Sequence, residues 1–300
     1  MLKITNLSKT YSNGVKAIDN INLTLEHGMF GLLGPNGAGK SSLMRTIATL
    51  QQPDTGSIVF EGINVLTQPQ DLRLKLGYLP QDFDVYPRIS ALDLLDHMAI
   101  LKGINNKQDR KKAVEGLLYQ TNLFEDRKKA VSSFSGGMKQ RFGIAQALLG
   151  DPELIIVDEP TAGLDPEERN RFHNLLSDIG ENKVVILSTH IVDDVEELCS
   201  DFAILADGAI QVMGNPQDLT AQLKDNIWKK AVPKSAVENT RNSYQVISTK
   251  LKAGQTLVHV LSDDDLSADG FKQVIPDLED VYFSTLFNCK KFAPQNDIGE

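Results

Sequence analysis

A glycine-rich segment at residues 34–41 constrains the fold of this chain more than any other feature. It reads GPNGAGKS, matches the pattern G-x-x-x-x-G-K-[ST], and lies between the apolar run MFGLL and the helically spaced run SSLMRTIATL. Glycines allow successive backbone N–H groups to turn toward a polyphosphate, and a helix start adds its positive end. A strand, a glycine-rich loop and a helix in this order therefore predict a nucleotide site.

Two side chains of this loop are expected to complete the site. Lys40 would reach the β- and γ-phosphates, and Ser41 would ligate Mg²⁺. The alternative is a chance match in a glycine-rich turn, which is expected in roughly 1% of chains of this length. The flanking strand and helix favour the phosphate site. The residues expected to bind the nucleotide here are Asn36, Gly37, Ala38, Gly39, Lys40, Ser41 and Ser42.

A second chemical signal is the pair of acids that ends the apolar run LIIVDEP. Asp158 would lie at the carboxyl edge of a parallel sheet, where it suits a Mg²⁺ site. Glu159 would point at a water molecule that attacks the γ-phosphate and would accept its proton. An isolated Asp-Glu pair is usually a pair of solvated acids at a strand end. The phosphate loop upstream favours the catalytic interpretation.

The rest of the chain alternates short apolar runs with helical patterns, which predicts an α/β fold around a parallel sheet. Its 300 residues suggest about two domains, because domains average about 150 residues. A break near Gly214-Asn215-Pro216 places the boundary. We therefore expect a first domain over 1–215 and a small α+β accessory domain over 216–300.

Composition narrows the class of protein. The net charge of −9 argues against nonspecific binding to nucleic acid or to an anionic membrane. No stretch reaches the roughly 18 apolar residues of a membrane span, and the start of the chain lacks the apolar region of a signal peptide. Cys199 and Cys289 are too few for a disulfide framework, so a reducing cytosol is expected.

Six motifs in a fixed order give the chain a family resemblance. After the phosphate loop come YLPQ with Gln81, Phe134-Ser135-Gly136-Gly137-Met138, LIIVDEP, GLDP with Asp165, and LSTH with His190. This series resembles the ATP-binding cassette (ABC) ATPases over about residues 1–215, although Phe134 and Met138 replace the usual Leu and Gln. The resemblance implies a P-loop NTPase cassette, with a RecA-like parallel sheet core, an antiparallel β subdomain and a helical subdomain at about 82–135.

The resemblance also implies roles for single residues. Tyr11 would stack on adenine, although a strand tyrosine packed in the sheet is the alternative. Gln81 would contact Mg²⁺ or the attacking water, and His190 would contact the γ-phosphate. Two cassettes would bind head to tail, with Ser135, Gly136 and Gly137 of one completing the ATP site of the other and Asp165 crossing the interface. Each site would then hydrolyse ATP to ADP and phosphate.

Two segments resemble the bacterial type-2 export cassettes, namely residues 85–104 and the ending LEDVYFSTL. That branch implies separate transmembrane permease subunits, which would hold the chain on the inner face of the plasma membrane. Phe83, Val85 and Tyr86 would line a groove for a permease helix or simply pack the helical subdomain. Another hypothesis is a soluble ABC ATPase acting on ribosomes or DNA, and a P-loop kinase is a third. The substrate, and a homodimer versus a heterodimer, remain open.

Overall fold

The computed structural model describes residues 1–81, 88–161, 164–180 and 182–292. The strands are β1 (Leu2–Thr10), β2 (Lys16–Leu25), β3 (Gly28–Leu33), β4 (Thr55–Phe60), β5 (Ile63–Asn64), β6 (Leu76–Leu79), β7 (Leu154–Asp158), β8 (Val184–Thr189), β9 (Asp201–Ala206), β10 (Ala209–Gly214), β11 (Ile227–Val232), β12 (Val246–Lys252), β13 (Gln255–Leu261) and β14 (Lys272–Gln273). The helices are α1 (Lys40–Ile47), α2 (Pro69–Lys75), α3 (Ala91–Leu101), α4 (Lys107–Gln120), α5 (Gly136–Ala147), α6 (Pro166–Gly180), α7 (Val192–Leu198), α8 (Pro216–Gln222), α9 (Val237–Ser243) and α10 (Leu278–Phe292). This arrangement confirms the predicted α/β class.

A six-stranded sheet in the order β10-β9-β3-β8-β7-β6 forms the centre of the fold. All neighbouring pairs are parallel except β9 with β10. Successive residues of β7 face opposite sides, so Ile156 joins one core cluster and Ile155 and Val157 join the other. Both faces are therefore buried, which explains the continuous apolar runs of the sequence.

Different elements pack against the two faces of this sheet. On one face, α1 buries Leu43, Met44 and Ile47 in a core that it shares with the antiparallel sheet β2-β1-β4-β5. On the other face, residues of α5, α6 and α7 pack against the sheet. The phosphate loop thus lies between β3 and α1, which are both anchored in the first core.

The helical segment between β6 and β7 has a core of its own. Helices α3, α4 and α5 contribute to one cluster that includes Leu95, Leu118 and Phe142. Helices α3 and α4 start with side-chain caps, since Ser90 accepts from the backbone of Asp93 and Asn106 accepts from two backbone N–H groups. Its first part, residues 82–87, lies outside the described residues, and with it the predicted groove residues Phe83, Val85 and Tyr86.

The C-terminal part contains an antiparallel sheet in the order β12-β13-β11-β14 and a helix that returns to the first part. The sequence predicts a short helix here, whereas α10 has 15 residues. Its residues Leu278, Val281 and Tyr282 pack in the same core as β7 and β8, and so does Leu219 of α8. The core of the cassette therefore crosses the predicted boundary at residue 215. None of the described helices is both long and apolar enough to cross a membrane.

Candidate active site

The predicted site residues meet at one edge of the central sheet. Strands β3, β6, β7 and β8 are parallel, so their carboxyl ends lie on the same side. The phosphate loop follows β3, Gln81 follows β6, Asp158 and Glu159 end β7, and His190 follows β8. Four segments that are far apart in sequence are thereby brought together where parallel α/β folds bind their ligands.

The backbone of the phosphate loop explains two of its glycines. Gly39 has a φ of 104°, and a Cβ atom there would lie 2.1 Å from the carbonyl oxygen of Ala17. A Cβ atom on Gly34 would lie 2.3 Å from the carbonyl oxygen of Leu205. Neither position accommodates a side chain, so the loop packs tightly against two strands. The helix start that follows offers backbone N–H groups to an anionic ligand.

Lys40 lies buried at the start of α1, with its ammonium group held inside the loop. Its Nζ donates to the carbonyl oxygen of Gly34 at 2.7 Å and to that of Pro35 at 3.2 Å. The nearest carboxylate oxygen is Oε1 of Glu159, at 3.7 Å. Burial lowers the pKa of Lys40, and the charges of Glu159 and Asp158 oppose that shift. An anionic phosphate entering the loop would further stabilise the ammonium form.

Glu159 is the point of contact between the other segments. Gln81 Nε2 donates to Glu159 Oε2 at 3.2 Å, and His190 Nδ1 lies 3.3 Å from the same oxygen. The backbone of Glu159 is in the left-handed region with a φ of 48°, and its N–H donates to the carbonyl oxygen of Ser188 at 2.8 Å. A non-glycine residue held in this conformation is characteristic of functional sites, because the surrounding structure must enforce it.

Asp158 fits a metal ligand better than a structural acid. Its Oδ1 atom is buried and finds no hydrogen-bond partner among the described residues. Burial raises the pKa of Asp158, whereas the hydroxyls of Ser188 and Ser41 and the charge of Lys40 oppose the shift. An orphaned carboxylate oxygen near a serine hydroxyl is a hard oxygen donor set of the kind that Mg²⁺ takes together with phosphates and water. The residues present therefore fit Mg²⁺.

Tyr11 lines the same cleft as the phosphate loop. The cleft has a volume of about 450 Å³ and also reaches Gln81 and Glu159. The Tyr11 hydroxyl lies 3.0 Å from Ser42 Oγ and donates to Gln51 Oε1 at 3.0 Å. These contacts orient a ring that stays 37% exposed beside the loop. The adenine contact remains a prediction.

The remaining predicted residues lie away from this cleft. Ser135 caps α5, where its Oγ accepts from the backbone of Met138 at 3.2 Å, and it is exposed together with Gly136. Asp165 Oδ1 accepts from the backbone of Glu168 at 2.9 Å at the start of α6. Within the described part of the chain, the residues lining the cleft include neither 135–137 nor 165.

Asp194 is a buried residue of this edge that the sequence pattern does not predict. The segment VDDVEEL has the pattern of a helix start, where acids favour the dipole, and α7 carries Asp193 and Asp194 in its first turn. Asp194, however, is fully buried and bonded to side chains from three other segments. The nearby apolar residues Val192 and Val195 indicate only weakly that Asp194 is buried. A single sequence does not show which side chains from other segments contact it.

Comparison with known proteins shows the family to which this chain is similar. Residues 18–162 match the family described as ABC transporter. The ABC transporter ATP-binding protein YxlF of Bacillus subtilis is 32% identical over 300 residues, covering 95% of this chain and 99% of that protein. The linearmycin resistance ATP-binding protein LnrL of the same organism is 37% identical over 226 residues, covering 74% and 72%. The methionine import ATP-binding protein MetN 1 of Oenococcus oeni is 32% identical over 308 residues, covering 99% and 87%.

A solved structure extends the similarity to the fold. The ATP-binding cassette MJ0796, in a dimeric post-hydrolysis state bound to ADP and Pi, has a TM-score of 0.66 at 28% identity and covers 72% of this chain and 98% of its own. The predicted P-loop NTPase cassette fold is therefore confirmed. With its phosphate loop, its acidic strand end and these relatives, the chain belongs to the ATP-binding proteins of the ABC transporter family and is an ATPase.

Proposed function

We propose that two copies of this chain pair head to tail around two ATP molecules and drive export through a separate membrane permease. One observation carries the proposal. Glu159 is held between Lys40, Gln81 and His190 at the mouth of the phosphate loop, while Ser135 and Gly136 are exposed outside the cleft that contains it. The site in one chain has a base and a phosphate loop, and a second chain would supply the opposite wall.

We propose a step in hydrolysis for each of these side chains. Lys40 binds the β- and γ-phosphate oxygens, and the loop N–H groups hold them in place. Glu159 accepts a proton from the water that attacks the γ-phosphorus, while the bond to the β-phosphate oxygen breaks and ADP leaves. Gln81 and His190 hold Glu159 and the water in line. Mg²⁺ bound with the phosphates would neutralise part of their charge, and Ser41 and Asp158 would hold it.

The start of helix α5 would give two chains a reason to pair, because it can bind an anion. Its N-terminus is exposed at Ser135 and Gly136, and backbone N–H groups at a helix start bind anions such as a γ-phosphate. The dimeric MJ0796 cassette supports this arrangement, because it is a cassette of the same fold found as a dimer with ADP and Pi. ATP binding would then close the pair, and hydrolysis with product release would reopen it.

Ser135→Arg tests this opposite wall. We expect the variant to keep most of its ATP affinity and to lose ATP turnover by about 10²-fold, as when one donor to a transition-state anion is removed. The arginine places a bulky side chain where the γ-phosphate of the partner's ATP would lie. The measurement is steady-state turnover together with equilibrium ATP binding. Ser133→Arg, which changes an exposed serine two residues before it, is the matched control. Native turnover in Ser135→Arg would contradict the shared site.

We propose that this chain drives export rather than import. LnrL, named for linearmycin resistance, has 37% identity and supports export, whereas MetN 1, named for methionine import, is also related over nearly the full chain. The segments at 85–104 and at the start of α10, which resemble those of export cassettes, favour export. Recovery of ribosomes or DNA, and no membrane protein, with the tagged chain would instead support a soluble ABC ATPase.

An apolar groove supports a permease partner. A cavity of about 400 Å³ opens between α2 and β6 on one side and α3 on the other. Three leucines at its rim are strongly exposed, namely Leu50 at 60%, Leu74 at 57% and Leu101 at 71%. A patch of this kind on a cassette fits an apolar helix of a membrane subunit, which would hold the chain at the cytoplasmic face of the membrane.

Leu101→Glu is expected to release the chain from washed native membranes without changing its basal ATP turnover. A carboxylate in the groove would have to be desolvated when a permease helix docks. The membrane-bound fraction of the tagged chain is the measurement. Leu251→Glu is the matched control, because Leu251 is 77% exposed but lies on β12 of the C-terminal sheet. Equal membrane binding of both variants would overturn the groove assignment.

A further inference from the structure

Asp194 is a fully buried carboxylate at which several segments of the active-site edge meet. Its Oδ2 accepts from Thr161 Oγ1 at 2.6 Å and from Thr189 Oγ1 at 3.1 Å. Its Oδ1 faces Arg169, whose Nε lies at 3.0 Å, and His173, whose Nε2 lies at 2.9 Å. A carboxylate with no exposed surface is costly unless donors of this kind surround it.

The two threonines connect this carboxylate to the catalytic residues. Thr161 follows Glu159 by two residues, and Thr189 directly precedes His190. Thr189 Oγ1 donates to Asp194 and also accepts from the backbone N–H of Ile191 at 3.0 Å. The backbone is therefore fixed on both sides of His190.

His190 itself has little to hold it. Its side chain is 43% exposed, and within the described residues its side-chain partner is Glu159 Oε2, at 3.3 Å from Nδ1. The position of a half-exposed ring depends chiefly on its backbone, because water replaces most packing contacts. Whatever fixes the backbone at 189–191 therefore sets the distance between His190 and Glu159.

We propose that Asp194 is a positioning residue for ATP hydrolysis, which acts through Thr189 to hold His190 against Glu159. The inference rests on the proposed roles of Glu159 and His190. Arg169 and His173 anchor one oxygen of Asp194 to α6, and the other oxygen then serves the two threonines. Asp194 thereby joins the chain after β7 to the chain after β8, which carry the two groups that must meet at the γ-phosphate.

The charge of Asp194 is required as well as its shape. In Asp194→Asn, the amide NH₂ cannot face Arg169, which has no acceptor. The amide oxygen must then face Arg169 and His173, and the NH₂ group donates to Thr161 and Thr189, whose own hydroxyl hydrogens lose the acceptor that Asp194 gave them. Asp194→Asn is therefore expected to weaken the hold on Thr189, to leave Arg169 without its anionic partner, and to slow turnover in the same direction as Thr189→Val.

Thr189→Val tests the inference with less risk to folding, because valine keeps the branched shape and replaces the hydroxyl with a methyl group of similar size. We expect kcat to fall about 10-fold, since small displacements of a catalytic group have effects of this size. The KM for ATP should stay within about twofold, because the phosphate loop and Tyr11 are untouched. Thr189→Ser should restore turnover. Thr121→Val is the matched control, since Thr121 is also buried and donates once, to the carbonyl of Leu117, in the helical segment.

A double variant separates positioning from general structural support. If Thr189 acts through His190, then adding Thr189→Val to His190→Ala should not lower kcat further. A double variant that is about 10-fold slower than His190→Ala alone would overturn the inference. Native turnover in His190→Ala would refute the proposed role of His190 itself. Slow turnover in His190→Ala with native turnover in Thr189→Val would refute only the role of Asp194.

Discussion

The Glu159→Gln variant is expected to bind ATP and to hydrolyse it about 10²- to 10⁴-fold more slowly than the native chain, which is the usual contribution of a general base. An amide keeps the size of the side chain but cannot accept the proton of the attacking water. Binding should persist, because Lys40 and the loop N–H groups are unchanged. Removing a negative charge 3.7 Å from Lys40 also reduces repulsion of the γ-phosphate.

Two measurements check this expectation. ATP turnover and equilibrium ATP binding should separate, and size-exclusion chromatography with ATP should show a species of twice the 33.1 kDa chain mass. Glu153→Gln is the matched control, because Glu153 immediately precedes β7 and is half-exposed in a pair with Lys75. Turnover of Glu159→Gln within a few-fold of the native rate would show that the proton goes to another group.

Lys40→Ala is expected to weaken ATP binding by about 10- to 100-fold, since hydrogen bonds to a charged group are each worth about 1.5–3 kcal/mol. The same variant should have no measurable turnover, because the γ-phosphate would be neither held nor neutralised. Removing the ammonium also leaves the buried carboxylate of Glu159 without its cation. Titration calorimetry with ATP measures the first effect, and phosphate release measures the second.

Lys102→Ala provides the comparison for Lys40→Ala. Lys102 is another lysine with a pKa lowered by burial, and its Nζ donates to the carbonyl oxygens of Arg73 and Leu76. This variant should lose stability in thermal unfolding and keep its ATP affinity. If both variants bind ATP equally weakly, the effect at Lys40 is a general consequence of removing a buried lysine, and the phosphate-loop role is wrong.

The local part of the site is predictable from sequence for a physical reason. The phosphate loop requires glycines at positions such as Gly39, where a side chain would overlap the backbone of Ala17, so its pattern is written in consecutive residues. Parallel strands also place their following residues at one edge, and in the structure Gln81 and His190 both contact Glu159 there. The distances between these three side chains cannot be predicted from the sequence, because they depend on the order of the strands in the sheet.

Contacts between distant segments account for what the sequence did not predict. Asp194 has the local pattern of an ordinary acid at a helix start, and only the fold brings Thr161 and Thr189 to it. In the same way, the sequence predicts that α10 belongs to an accessory domain, yet Val281 and Tyr282 of α10 pack in the central core. Helix periodicity shows that such a face is apolar, but it does not name the surface that covers it.

Each ATP site is proposed to be shared by two chains, and complementation between two inactive variants tests this sharing most directly. Ser135→Arg keeps Glu159 and its phosphate loop, whereas Glu159→Gln keeps Ser135. In a head-to-tail pair of one chain of each kind, one of the two sites has both intact walls. Mixing equal amounts before adding ATP should therefore restore about a quarter of the native turnover, because half of the randomly formed dimers are mixed. A mixture no more active than either variant alone would contradict the shared site.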